Sequence, residues 1–347
     1  MGLVIPLFIS HQGCPHQCLF CNQFAITGSA GTETGTDGSK LTGEHAGRSD
    51  NPVSVIDTWL ARSPGHEQVQ VAYYGGSFTC LDHAEQQRLL MAVQPYLVDG
   101  RVNSIRLSTR PDCISKDIAL WLADYGVKTV ELGVQSLDDM VLKRARRGHS
   151  AADSRAAMQI LRDAGLEVGV QLLPGLPGET TRSFLCGVRE VIDFGPELVR
   201  LYPTVVVENS GLALMYERGE YQPLSLNRAV ALTRRARELF AAAGVTVARV
   251  GLQPSESLAR QVVAGPYHPS LGELVASRSW FRSLRCRLAA LDSGQHLHIH
   301  ISHRDLSAVV GMKKSNLRRL DSLGFSGRYT IIPEKSRKRG SIHYVVC

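Results

Sequence analysis

Three cysteines crowd into eight residues of this chain, Cys14, Cys18 and Cys21, in the run Cys14-Pro15-His16-Gln17-Cys18-Leu19-Phe20-Cys21. Thiolates are soft ligands, and three of them on one tight loop can hold three corners of a cubane iron–sulfur cluster. That set leaves one iron open, and an open iron can chelate a substrate. Zinc would want a fourth ligand to close a tetrahedron. His11 and His16 are the nearby candidates, and His16 sits awkwardly between two of the cysteines. The remaining five, Cys80, Cys113, Cys186, Cys286 and Cys347, are scattered and read as buried or incidental thiols. The N-terminus, Met1-Gly2-Leu3-Val4-Ile5-Pro6, has no signal-peptide pattern, so the expected location is the cytoplasm. In such a chain a tight cysteine cluster points to metal or redox chemistry, not to a disulfide framework.

The elements that must position this loop follow a strand–helix rhythm. Strand-like runs at Leu3–Ile9, Val69–Tyr74, Ser104–Ser108, Thr129–Gln135, Glu167–Leu173 and Leu198–Val206 alternate with helical patterns, and Val245–Val250 adds one further candidate strand. Repeated units of this kind pair in parallel through right-handed crossovers. The options are a barrel-like (β/α) sheet or an open doubly wound one. The chain has 347 residues, 44% hydrophobic and 20% charged, enough for a large core and too apolar for a wholly disordered chain. No apolar run reaches the 18 residues of a membrane span. Residues 28–52, rich in Gly, Ser, Thr and Asp, are expected to form a flexible insertion.

The cysteine spacing, with an aromatic just before the last cysteine and directly after a first strand, resembles the radical S-adenosylmethionine (SAM) superfamily. The resemblance implies a partial (β/α)6 TIM-type barrel, a [4Fe–4S] cluster on Cys14, Cys18 and Cys21, and cleavage of SAM to a 5′-deoxyadenosyl radical. It also implies an electron donor such as a flavodoxin or a ferredoxin. The cofactor contacts then fall at strand ends, where (β/α) barrels keep their functional residues. Gly75, Gly76 and Ser77 match the glycine-rich position that meets the methionyl amine, or form a plain tight turn. Ser108 and Arg110 suit the methionyl carboxylate, or an N-capping loop. Gln135 suits the ribose hydroxyls, while Glu131 reads equally as a buried structural acid. Gly175, in Gln171-Leu172-Leu173-Pro174-Gly175-Leu176-Pro177-Gly178-Glu179, falls in what resembles the strand and turn that contact adenine, or in an ordinary strand-to-helix loop. The basic run Lys143–His149 reads as a phosphate-steering patch or a solvated helix end.

Longer strings narrow the resemblance. VELGVQSLDDMVLKRARRGH, GLPGET, LYPTVVVENSGLALMYERGEYQPLS, VGLQPS and GPYHPSLGELV are similar to the radical-SAM half of the Elongator catalytic subunit, which modifies the wobble uridine of tRNA. The similarity runs from about Ile5 to Val275. The gap between the first two cysteines is instead that of oxygen-independent coproporphyrinogen oxidase. The stretch after Val275 is too short for the Elongator subunit's acetyltransferase domain. The implied partner is an RNA, a tRNA, and no membrane. The competing readings are a small-molecule substrate of coproporphyrinogen-oxidase type, and an RNA-binding protein with a structural cluster.

Charge supports a polyanion partner. From Gln295 to Cys347 there are ten Lys and Arg against three acids, which equals the whole formal excess of +7. Residues 295–347 break the strand–helix rhythm and read as a small α+β module, joined through Val263–Gly294 to the residues 1–275 core and its extension. Within it, Val309–Leu317 resembles the helix–loop–helix of a KH domain, with Lys314 where the loop's final Gly stands. Lys313, Lys314, Arg318 and Arg319 are the candidate RNA contacts. A solvated docking face is the alternative. His296, His298 and His300 alternate along one strand and share a face; they read as a polar surface more readily than as a metal site.

Overall fold

The computed structural model describes residues 2–9, 14, 16–22 and 51–347. The expected insertion lies outside these residues except for its last two, as does His11.

Seven parallel strands make one curled sheet. They are β1 (Leu3–Phe8), β2 (Val69–Tyr74), β3 (Ser104–Thr109), β4 (Val127–Gln135), β5 (Glu167–Leu172), β6 (Leu198–Leu201) and, after a short β7 (Val206–Val207) that pairs elsewhere, β8 (Thr246–Val250). Their order is β1-β2-β3-β4-β5-β6-β8, with β1 and β8 at the two edges, so the barrel is partial. Sequence order equals spatial order because each crossover helix returns the chain on the same hand. The middle strand β4 is buried at every position but Lys128, as a parallel strand covered on both faces must be. Ile5, Leu7, Val71, Ile105, Leu107, Val130, Leu132, Val170 and Val199 form its sheet-side core with Leu122, Leu161 and Val188 from the helices.

Local chemistry sets the helix starts. Ser150 and Asp153, and Thr180 and Ser183, form reciprocal capping boxes ahead of Ala151–Asp163 and Thr181–Phe194. One expected strand is divided. The strand read as Leu198–Val206 leaves the sheet after Leu201, because Pro203 has no N–H to continue the ladder. Val206–Val207 instead pairs antiparallel with β9 (Val262–Ala264). The segment between β2 and β3 holds two helices, His83–Met91 and Gln94–Val98, with Pro95 in the second's first turn. The stretch Asp138–Ala164 splits into Asp139–Arg144 and Ala151–Asp163, with Arg146 in left-handed backbone (φ 50°) between them.

A second, three-stranded sheet has β10 (Leu297–Ser302) at its centre, β11 (Tyr329–Glu334) parallel to it and β12 (Ile342–Val346) antiparallel. The segment read as a joint is a helix, Leu271–Ala289, and it belongs to this sheet's core. Its Phe281, Leu284 and Leu288 pack with Leu297, Ile299, Ile301, Val309 and Leu320. Apolar residues at i, i+3 and i+7 on that helix supply the stripe. Buried Asn316 ties helix to module by donating from Nδ2 to Ser277 Oγ (2.9 Å) and to the Val309 carbonyl (3.0 Å). Lys313 and Lys314, between the two short helices, both have positive φ and are exposed. Among the described residues no helix is long and apolar enough to cross a membrane.

Candidate active site

A cavity of about 680 Å³ opens at the C-terminal ends of the strands. Cys14 and Cys21 line it, together with Gly75, Gly76, Ser77, Ser108, Arg110 and Gln135. Cys18 is buried behind, where its Sγ receives Arg147 Nη1 at 3.5 Å. Among the described residues no three His, Cys, Asp or Glu side chains stand together as a metal-binding group. Cys14 and Cys21 thus face the cavity, and Cys18 faces Arg147.

The turns after β2 and β3 are knitted together. Ser77 Oγ accepts the Arg110 N–H (3.0 Å) and lies 3.3 Å from Thr109 Oγ1, which also accepts the Thr79 N–H at 3.2 Å. Cys80 and Cys113, one just beyond each turn, are joined as a disulfide. This corrects their reading as incidental thiols. They are 33 residues apart in sequence, and only the side-by-side placement of β2 and β3 brings the two turns together.

Arg110 is 2% exposed. Its Nε and Nη2 donate to the two Asp112 carboxylate oxygens at 2.9 Å each, and Nη2 also donates to the Arg147 carbonyl at 2.8 Å. Only Nη1 is left for a ligand, and it is buried without a partner. Ser108 Oγ, Gln135 Oε1 and Arg147 Nε are likewise buried without partners. Gln135 sits at an irregularity in β4 with φ 66°, a left-handed conformation that turns it out of the strand ladder. Gly133 allows the close approach behind it: a Cβ there would stand 2.9 Å from both Arg147 Nη2 and Gln135 Nε2.

Gly175 lies outside the lining. Its N–H donates to Glu179 Oε2 (2.7 Å) and its carbonyl accepts from Tyr221 OH (2.6 Å), in a turn whose φ of 96° suits glycine. Burial raises the Glu179 carboxyl to about 8, against the lowering effect of the Gly175 N–H and Ser136 hydroxyl bonds.

Several site residues escaped the sequence reading. The run Lys143–His149 divides: Lys143, Arg144 and Arg146 are exposed, whereas Arg147 and His149 are buried behind the cysteine loop. Glu131 is fully buried and accepts from Arg106 Nη1 (3.1 Å), Arg200 Nη2 (2.8 Å) and Gln171 Nε2 (3.2 Å). Arg200, Tyr202 and Arg249 also line the cavity. Strand alternation was the available signal for Arg200, two residues before Tyr202 on the same face.

His149 carries a pH prediction. Burial, then Arg147 and Arg110, push its imidazole down to about 4, against the pull of Asp112. The group is neutral in the folded chain above that value, while the unfolded chain takes up a proton below about 6.5. Its contribution is fully present above pH 6.5 and is lost as pH falls towards 4, by up to roughly 3 kcal/mol. Urea unfolding from pH 7 to pH 4.5 should show a steeper loss for the wild type than for His149→Gln; parallel curves would contradict it.

Three soft thiols beside a cavity ringed by unpartnered buried donors and acceptors fit an iron–sulfur cluster with a polar organic ligand. Comparison with known proteins agrees. Residues 8–185 match the family described as the Radical SAM superfamily, and residues 196–280 match the Radical_SAM C-terminal domain. The chain belongs to the radical SAM superfamily, enzymes that use a [4Fe–4S] cluster and SAM. A tRNA uridine(34) acetyltransferase of Methanocaldococcus infernus is 28% identical over 316 residues, covering 82% of this chain and 57% of that protein. Elongator complex protein 3 of Homo sapiens is 29% identical over 187 residues, 53% of this chain and 33% of that protein. The solved structure of the archaeal Methanocaldococcus infernus Elp3 with an N-terminal deletion superposes with a TM-score of 0.60 at 28% identity, covering 68% of this chain and 59% of that one. The chain thus spans little more than half the length of the archaeal relative, and a third of the human one.

Proposed function

We propose that the chain modifies a tRNA nucleoside, a uridine at the wobble position, with Cys14, Cys18 and Cys21 holding the cluster and SAM lying across the ends of β2, β3 and β4. The observation that carries this is the convergence on one cavity of the cysteine loop, the Gly75–Ser77 turn and four buried polar atoms without partners. When bound, the cluster supplies the electron that cleaves SAM to a 5′-deoxyadenosyl radical.

The protein's own part is placement and exclusion. Backbone groups at Gly75 and Gly76 suit the methionyl amine, and Ser108 Oγ with Arg110 Nη1 suits its carboxylate. Gln135 Oε1 is free to accept from the ribose hydroxyls. Arg147 holds Cys18 and the Gly133 carbonyl, so it positions the cluster loop against β4. The curled sheet keeps water from a reactive radical. The relatives named for tRNA uridine 34 and the basic C-terminal half support the substrate class. Lys313 and Lys314, exposed on their loop, remain the candidate RNA contacts of the module. Arg318 donates to the Lys313 carbonyl at 2.6 Å and so braces that loop. An electron donor of flavodoxin or ferredoxin type completes the scheme.

Mass spectrometry of tRNA nucleosides from a deletion strain tests the substrate. One uridine derivative should disappear and return with the wild-type gene but not with Cys18→Ala. An unchanged nucleoside profile would refute the tRNA assignment.

A further inference from the structure

The basic excess is wider than the C-terminal tail. Residues 226–347 carry 20 Lys and Arg against seven acids, while residues 1–225 carry 19 against 25. The fold gathers much of this excess along one seam. The helices Thr181–Phe194, Leu226–Ala242, Leu271–Ala289 and Ser315–Leu320 contact one another in that order. At the seam's centre, Arg278 has Arg234, Arg282 and Arg319 as its charged neighbours, drawn from three helices. Burial first, and then these three cations, hold its guanidinium below the usual arginine range. The acid close by, Glu238, is taken up by Arg234 and by Ser279 Oγ. Arg319 is held over the Phe281 ring at 4.2 Å. Nearer the barrel, Arg235 lines two adjoining hollows of about 300 and 650 Å³, one with Arg182 and Arg189, the other with Thr180 and Arg228. The second hollow reaches the Gly175–Thr180 loop, at the same end of the sheet as the active-site cavity.

We propose that this seam is a track for an RNA phosphate backbone, leading from the loop after β5 across the arginine cluster to the Lys313–Lys314 loop. The proposal rests on the tRNA reading above and says where the polymer lies. Like charges crowded from three helices repel at close range, and a phosphate chain relieves that repulsion. The cluster is built from arginine, whose planar fork grips phosphate in pairs of bonds. A charge spread over four helices suits a polymer better than one free phosphate. A lipid surface suits it less, because none of the large apolar side chains exposed among the described residues lies on these four helices, and surface-bound helices need such a face.

The test uses the full-length chain and the double variant Arg235→Gln/Arg282→Gln, two exposed positions remote from the cavity. Transfer-RNA affinity is measured across a salt series, beside the control Arg62→Gln/Lys116→Gln. The slope of log affinity against log salt should fall by about two, with roughly a tenfold loss of affinity at low salt. The control pair should leave both unchanged, and Arg235→Lys/Arg282→Lys should restore the slope. Formation of 5′-deoxyadenosine from SAM without RNA should be the same in all variants. Salt-dependent tRNA binding with the same slope in the glutamine variant would overturn the seam and leave the tRNA reading standing. No tRNA binding by the wild type would overturn both. Loss of binding to phosphatidylserine vesicles, or of self-association, with tRNA binding intact would equally refute the track.

Discussion

Cys18→Ala is expected to abolish iron incorporation and SAM cleavage together. Cys18 is the buried member of the trio, with Arg147 Nη1 on its sulfur, so no water-exposed group can replace it. Loss of a residue that only orients a metal ligand costs about 10- to 100-fold. Loss of a thiolate ligand itself should exceed that range, leaving 5′-deoxyadenosine formation at background. Arg147→Gln should fall within the range, because it removes the cation on Cys18 and the tie to the Gly133 carbonyl while leaving all three thiols. Cys186→Ala, at an exposed thiol, should match the wild type. Near-normal 5′-deoxyadenosine yield from Cys18→Ala would contradict the ligand assignment.

Glu131→Leu is expected to give the largest loss of stability. Glu131 is fully buried in the barrel interior and faces two guanidinium groups, Arg106 and Arg200, with Tyr74 OH at 3.4 Å. Removing the carboxylate leaves two cations facing one another in a poorly solvated space. Breaking a buried pair in this way costs about 3–5 kcal/mol. Substituting the acid together with Arg200 should recover part of the loss, because one uncompensated charge goes with it. Urea denaturation of the single and double variants checks this. A change below about 1 kcal/mol in Glu131→Leu would show that water or a neighbour already screens the arginines.

The sequence exposes the strand–helix rhythm plainly, because parallel strands buried on both faces are continuous apolar runs bounded by turns. Val69–Tyr74 is read to the residue, and Ser104–Thr109 and Glu167–Leu172 within one residue. The cysteine loop is legible because its chemistry lies in local spacing. What depends on the tertiary approach of distant segments is not legible. The Cys80–Cys113 link, the burial of Arg147 and His149 at the end of a run of cations, and the bond from Arg110 to the Arg147 carbonyl all arise only once β2, β3 and β4 lie side by side. The Leu271–Ala289 helix is missed for a different reason. Its arginines mask an apolar stripe that faces a sheet formed later in the chain. Gly175 is bonded through its backbone to the Glu179 carboxylate and the Tyr221 hydroxyl, partners that only the folded chain reveals.

The central claim is that Cys14, Cys18 and Cys21 together hold a cluster on which SAM is reduced. Iron and sulfide analysis after anaerobic reconstitution, followed by dithionite reduction with SAM, tests it most directly. About four irons per chain and steady formation of 5′-deoxyadenosine are predicted. Colourless protein that takes up zinc instead of iron and leaves SAM intact would contradict the account.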